Sequence, residues 1–303
     1  MAVGPRWWCR RGSEAVGGPY ADRVTRTPLA WLKGHGTEND FLVVPDPDGI
    51  VDLDPTTVAA LCHRRSGVGA DGVLRVIRST ALDDPAAKSA AADGVEWFMD
   101  YRNADGSLSE MCGNGIRVFM RYLVLAGVVD ASAPVPIGTR GGVRLVTVRD
   151  DGRIGVDMGP AQVRGLSFVT VDGVRRDAVK VSVGNPHAVV FVDDLTEAGP
   201  LLEPPGHDPL DFPDGVNVEF VVRVGDRAIA MRVHERGSGE TRSCGTGACA
   251  AAVAFADATG VDRPASIDVA VPGGALEVVL REDDGVDLVG PAVLVAEGSW
   301  PLA

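Results

Sequence analysis

Cys112-Gly-Asn-Gly-Ile-Arg-Val-Phe-Met-Arg-Tyr-Leu-Val-Leu-Ala126 and Cys244-Gly-Thr-Gly-Ala-Cys-Ala-Ala-Ala-Val-Ala-Phe-Ala-Asp-Ala-Thr259 stand 132 residues apart and open on the same Cys-Gly-x-Gly turn. Each run is apolar almost all round, the pattern of a helix inside a protein. Each ends at a glycine suited to a helix C-cap, Gly127 and Gly260. The register continues outward. Val156-Asp-Met-Gly-Pro-Ala161 matches Asp287-Leu-Val-Gly-Pro-Ala292 at an offset of 131, and Asn39-Asp-Phe-Leu-Val-Val matches Asn185-Pro-His-Ala-Val-Val upstream. Three landmarks in one order indicate two homologous halves.

Each half has the same grammar. β-rich segments (Phe41 to Val44, Val73 to Ile77 and Val95 to Tyr101; then Val179 to Val183, Val189 to Val192, Val216 to Val222 and Ala228 to Val233) lead to the glycine turn and one helix, and short strands follow. The expected fold is α+β, with two pseudo-symmetric domains, each an antiparallel sheet wrapped around a central helix. The Gly-Pro crossovers set the expected boundaries. An N-terminal domain runs over 29–157 and is completed by 290–303, and a C-terminal domain covers 158–289.

Residues 1–28 carry Arg, Gly and Pro with no apolar run after Arg10-Arg11, so they read as a disordered extension and not as a signal peptide. Of the 303 residues, 45 % are apolar and 23 % charged, the composition of a soluble globular protein. The net charge of −13 argues against a nucleic-acid or membrane-surface binder and leaves a small zwitterionic ligand open. Five scattered cysteines without a CxxC pair suggest neither a disulfide framework nor a metal site, and point to reduced thiols in the cytoplasm. Cys9, Cys62 and Cys249 read as bystanders, and Arg64-Arg65 as solvated surface.

The chemistry sits at the two turns. A cysteine at a helix N-terminus meets free N–H groups and the positive end of the dipole, which acidifies a thiol. With at most about 2 kcal/mol from that source, the expected thiol is poised near neutrality, able to serve as base and as acid. The amides of Gly113, Asn114, Gly245 and Thr246 can hold a carboxylate between two helix ends and stabilise the charge that builds when the adjacent carbon loses its proton. Carbanion chemistry can then run without a cofactor. Only three lysines are present and none suits a Schiff base for pyridoxal phosphate. Gly67-Val-Gly-Ala-Asp-Gly72 matches GxGxxG but precedes a strand, so no dinucleotide site is expected.

Gly36-Thr-Glu-Asn-Asp-Phe41, Asn103 to Arg117, Gly184-Asn-Pro-His187, Gly215-Val-Asn-Val-Glu-Phe220 and Glu235 to Gly247 together resemble the diaminopimelate epimerases, from about Leu29 to the C-terminus. The resemblance implies a cofactor-independent isomerase, homodimeric, that interconverts LL- and meso-2,6-diaminopimelate in lysine and peptidoglycan precursor synthesis. It makes Cys112 the proton donor and Cys244 the acceptor in the direction conventionally written, with the roles exchanged in reverse. It places substrate contacts on Asn39, Asn103, Asn185, Asn217, Glu235 and Arg236, and tuning of the cysteines on His187 and Glu235. One departure is Gly72, where many members have Gln. Asn and Arg side chains suit the far end of a substrate with two amino-acid termini, because unmet hydrogen-bonding groups penalise wrong ligands. Two other readings stand beside this one: a proline or hydroxyproline racemase of the same fold, and a redox sensor in which Cys112 and Cys244 form a disulfide.

Overall fold

The computed structural model describes residues 28–301. The expected extension 1–28, apart from its last residue, and Cys9 within it lie outside the described residues. Both central helices form where the repeat places them, Gly113–Ala126 and Gly245–Thr259. Each starts directly after its cysteine and stops at a left-handed glycine, Gly127 (φ 66°) and Gly260 (φ 69°), a conformation that a side chain disfavours.

Strands wrap each helix. Leu29–Gly36, Asn39–Pro45, Gly72–Arg78, Trp97–Asn103, Val135–Gly138, Arg144–Val148 and Ile154–Pro160 surround the first. Gln162–Val171, Val174–Ser182, Pro186–Phe191, Asn217–Gly225, Ala228–Glu235, Ala265–Val271, Gly274–Leu280 and Gly285–Gly290 surround the second. Ile154–Pro160 pairs with Gly285–Gly290 and joins the two halves. The last strand, Val293–Trp300, returns to pair with the first, Leu29 opposite Trp300.

The sheets are not purely antiparallel as expected. Four pairings are parallel, two in each half: Phe41–Pro45 with Gly72–Val76, Trp97–Phe98 with Ile137–Gly138, His187–Phe191 with Asn217–Val221, and Ala228–Ala230 with Asp268–Ala270. In each half one of these pairs flanks the central helix in sequence. The helix is therefore the crossover between two neighbouring strands, and such a connection requires them to run the same way. Hydropathy periodicity carries no strand direction, so the sequence did not reveal it.

The helices also differ more than expected. The second is buried from Gly245 to Ala256 except at Thr246. The first is not buried all round, since Leu125 is 65 % exposed and Arg121, Tyr122 and Val124 reach the surface. Two shorter helices, Pro55–Cys62 and Pro85–Ala92, escaped the sequence reading although Asp-Pro marks both starts. Asp54 and Asp84 cap them by accepting the N–H groups of Thr56, Thr57 and Ala86. The N-termini of the two central helices abut. A Cβ on Gly245 would lie 3.5 Å from Cα of Gly113, and a Cβ on either residue would press within 2.9 Å of Leu288. A side chain at either place would have to displace the Leu288 side chain wedged against the helix ends.

Candidate active site

Cys112 and Cys244 occupy equivalent places. Both are extended N-cap residues (φ −139° and −116°), and each Sγ accepts the N–H three residues on, from Gly115 and Gly247, both at 3.4 Å. Both thiols line one cleft of about 620 Å³ at the meeting point of the helix ends. The cleft is also lined by Asn39, Gly113, Asn114, Asn185, Glu235, Arg236, Gly245 and Thr246, so the structure brings together ten of the sequence-derived site residues.

Hydrogen bonds fix most of these groups. Asn39 Oδ1 faces Cys112 Sγ at 3.6 Å and accepts from Asn114 Nδ2 at 3.3 Å, while Asn39 Nδ2 donates to Asp71 at 2.7 Å. Asn114 Nδ2 also reaches the carbonyl of Ser243 at 3.0 Å, tying the first helix to the second turn. On the other side Asn185 donates to Thr246 Oγ1 at 3.3 Å, and Thr246 Oγ1 lies 3.6 Å from Cys244 Sγ. His187, fully buried, holds Asn185 Oδ1 at 2.9 Å with Nε2 and meets Glu219 at 2.7 Å with Nδ1.

Three expected residues stand back from the cleft wall. His187 is behind Asn185. Asn217 accepts the N–H of Arg236 at 2.9 Å and so shapes the loop that presents Glu235 and Arg236. Asn103 donates to Ser107 at 2.9 Å within its own turn. Gly72 also lies away from the lining, and a Cβ there would meet the Arg102 carbonyl at 2.5 Å, so the strand start has no room for any side chain. Arg236 anchors to the Asp214 carbonyl at 3.0 Å and remains exposed at the cleft edge.

The acidified thiols expected from the helix dipole are not found. Burial pushes Cys112 up to about 11, outweighing the backbone N–H bonds that pull it down. Cys244 is held well above its ordinary value, first by burial and then by the carboxylates of Glu235 and Glu219. Desolvating a thiolate costs more than one helix end returns. Burial likewise raises Glu235, against the hydrogen bond it accepts from Thr241.

Several residues were missed. Arg64 is exposed, as expected, but it is not idle. It makes a two-pronged bond to Asp40 at 3.1 and 2.7 Å and another to Asp71 at 2.6 Å, bracing the carboxylate that holds Asn39. Ser243 and Arg144 also line the cleft. Glu219 carried a legible signal, a charge two residues beyond Asn217 on the same strand face amid Val and Phe. The expected packing role of Cys62 and Cys249 fits their burial, and the four cysteines among the described residues are free thiols.

The family model for diaminopimelate epimerase matches residues 31–164 and 179–295. The chain belongs to this family. It is 55 % identical over 284 residues to a diaminopimelate epimerase of Streptomyces coelicolor, covering 91 % of this chain and 97 % of that one. It is 52 % identical to that of Thermobifida fusca, covering 91 % and 99 %. Membership makes the protein an isomerase. Solved structures at lower identity share the fold. A PhzF-family phenazine biosynthesis protein of Bacillus anthracis matches with TM-score 0.66 at 16 % identity, over 90 % of this chain and 99 % of that one. A hydroxyproline epimerase from Agrobacterium vitis matches with TM-score 0.60 at 18 % identity, over 90 % and 92 %. These two support the α+β architecture, and the racemase reading is not favoured beside full-length identity above one half. Among the described residues no helix is long and apolar enough to cross a membrane.

Proposed function

We propose that the protein interconverts LL- and meso-2,6-diaminopimelate by moving one proton between the two faces of an α-carbon. The observation that carries this reading is the pair of cysteine N-caps on one cleft, framed by two abutting helix ends. The substrate carboxylate sits among the amides of Gly113, Asn114, Gly245 and Thr246, where helix N-termini favour negative charge. One cysteine, as thiolate, takes the α-proton. The other, as thiol, delivers a proton to the opposite face, and both thiols return to their starting states when the reaction reverses. Cys112 is the donor and Cys244 the acceptor in the conventional direction. Because charge grows on the carboxylate as the proton leaves, the same amides stabilise the transition state more than the bound substrate.

At the far end, Arg236 offers a planar fork to the second carboxylate and Glu235 a partner for an ammonium, with Asn39 and Asn185 completing the polar wall. Asn217 and His187 support this set from behind through Arg236 and Asn185, while Asn103 holds its own turn through Ser107. The same reading assigns residues 29–157 with 290–303 to one domain and 158–289 to the other. In its favour, Ile154–Pro160 pairs with Gly285–Gly290 and Val293–Trp300 returns to the first strand. A cytoplasmic homodimer completes the reading, and the free thiols are in keeping with a reducing compartment.

The test is chiral chromatography under reducing conditions with LL-diaminopimelate and trans-4-hydroxyproline offered separately. Epimerisation of diaminopimelate alone is expected. Turnover of hydroxyproline without turnover of diaminopimelate would overturn the assignment.

A further inference from the structure

Arg117 lies five residues beyond Cys112 on the first central helix and has no solvent exposure. Its guanidinium donates only to neutral oxygens: Nη1 to the Gly113 carbonyl at 3.3 Å, Nη2 to Thr37 Oγ1 at 3.3 Å, and Nε to the Pro291 carbonyl at 3.4 Å. Among the described residues no carboxylate pairs with it. Arg75, the other deeply buried arginine, shows the usual arrangement, paired with Asp46 and Asp100. A buried cation without a counter-ion is among the most expensive features a fold can carry.

The duplication shows that the scaffold does not require it. At the offset of 132, Arg117 corresponds to Cys249, equally buried at the same place on the second helix and uncharged. The surroundings are shaped for the guanidinium. A Cβ on Gly36 would come within 2.9 Å of Nη2, and one on Gly290 within 3.2 Å of the guanidinium carbon. The group also grips the site directly. The Gly113 carbonyl it holds shares a peptide unit with the Asn114 N–H, one of the four amides around the carboxylate, and a hydrogen bond to the carbonyl makes that N–H a stronger donor. Thr37 Oγ1, its second acceptor, lies 2.6 Å from Ser243 Oγ on the cleft wall.

We propose that Arg117 is a positioning residue, the buried counter-charge that holds the Gly113–Asn114 peptide and stabilises the negative charge the reaction places at the helix ends, first of all the Cys112 thiolate. The proposal rests on the cysteine-pair reading above. Asn39 Oδ1 faces Cys112, Tyr101, Glu235 and Arg117 act on it through space, and Glu110, Arg144 and Arg236 line the same cleft. Tyr101 is held above its ordinary range by burial, and the Glu235 carboxylate works against a Cys112 thiolate. Arg117 is the fully buried cation among them.

The experiment compares Arg117→Gln, Arg117→Lys and the unaltered enzyme, each checked for folding by circular dichroism. Iodoacetamide labelling of each cysteine is followed against pH by peptide mass spectrometry, beside steady-state kinetics on LL-diaminopimelate. In R117Q the Cys112 labelling profile should move to higher pH by about one unit while that of Cys244 moves less. In the same variant kcat should fall about tenfold or more with a smaller change in KM. R117K, which keeps the charge, should recover most of both. If R117Q does not fold, Cys249→Asp, at a position whose charge acts on Arg117 through space, supplies the missing carboxylate and should produce the same Cys112 shift with Arg117 still present. A folded R117Q, or C249D, with an unshifted Cys112 profile and kcat within about twofold of the unaltered enzyme would overturn the proposal. Cys112→Ala separates the two claims. If it retains turnover, the cysteine-pair reading itself is wrong. If it is inactive while R117Q is silent, only the role of Arg117 falls.

Discussion

At Cys112 and at Cys244 an extended residue caps a helix, accepts one N–H at 3.4 Å from three residues on, and opens a run that ends at a left-handed glycine. The charges around these matching turns do not match. The Glu235 carboxylate works against a thiolate at both turns, but Cys112 has the neutral Asn39 at 3.6 Å and the cation of Arg117 behind it, whereas Cys244 has the second carboxylate of Glu219. Duplication has preserved the scaffold and allowed the electrostatics to diverge. Burial raises both thiols, Cys112 to about 11 and Cys244 well above its ordinary value, and Glu219 adds to the rise at Cys244 alone.

If the two turns are complementary halves of one reaction, removing either thiol should be equally damaging. Cys112→Ala and Cys244→Ala should each lower kcat by about 10²–10⁴-fold, measured by chiral chromatography. A mutant that loses less than about tenfold would mark its cysteine as dispensable.

The carboxylates test the asymmetry more finely. Glu235→Gln removes the largest charge acting on Cys244, second only to burial, so the Cys244 thiol should ionise at lower pH and label faster with iodoacetamide at fixed pH. Turnover should fall about tenfold, since the same carboxylate lines the cleft. Glu219→Gln should also move Cys244 to lower pH while leaving Cys112 in place, because Glu219 is among the causes acting on Cys244 and not on Cys112. Equal shifts at both thiols in the Glu219 variant would erase the contrast.

The helices behind the turns differ in packing. Ala251 is fully buried and Leu125 is 65 % exposed, so Ala251→Leu should destabilise by about 1–3 kcal/mol while Leu125→Lys stays within about 0.5 kcal/mol, read from urea midpoints. The C-caps should behave alike. Nothing lies within 4 Å of a Cβ added to Gly127 or Gly260, so alanine at either meets only backbone strain, about 1 kcal/mol each.

Much of this was legible in the chain because it is local. A Cys-Gly-x-Gly turn, a C-cap glycine and a Gly-Pro crossover each state their backbone requirement within a few residues, and repeating them at offsets of 131–132 gave the duplication. Strand direction was not legible, because Trp97–Phe98 and Ile137–Gly138 are made parallel by the helix between them and by nothing in their own pattern. The thiol acidity was misjudged for a related reason. The helix dipole can be read from sequence, but the burial that overrides it comes from segments as distant as Asn39 and Glu235. Asp71 and Arg64 matter through what they brace across the fold, and their neighbours in sequence do not announce it.

The pairing of the two thiols is tested most directly by running the unaltered enzyme in D₂O under reducing conditions, from each epimer in turn, and following deuterium at the α-carbon in product and in recovered substrate. Two separate bases predict that early product carries deuterium at the inverted centre while recovered substrate stays unlabelled, because the proton taken by one thiol is not the one delivered by the other. Product formed without deuterium, or substrate labelled as fast as product, would contradict it.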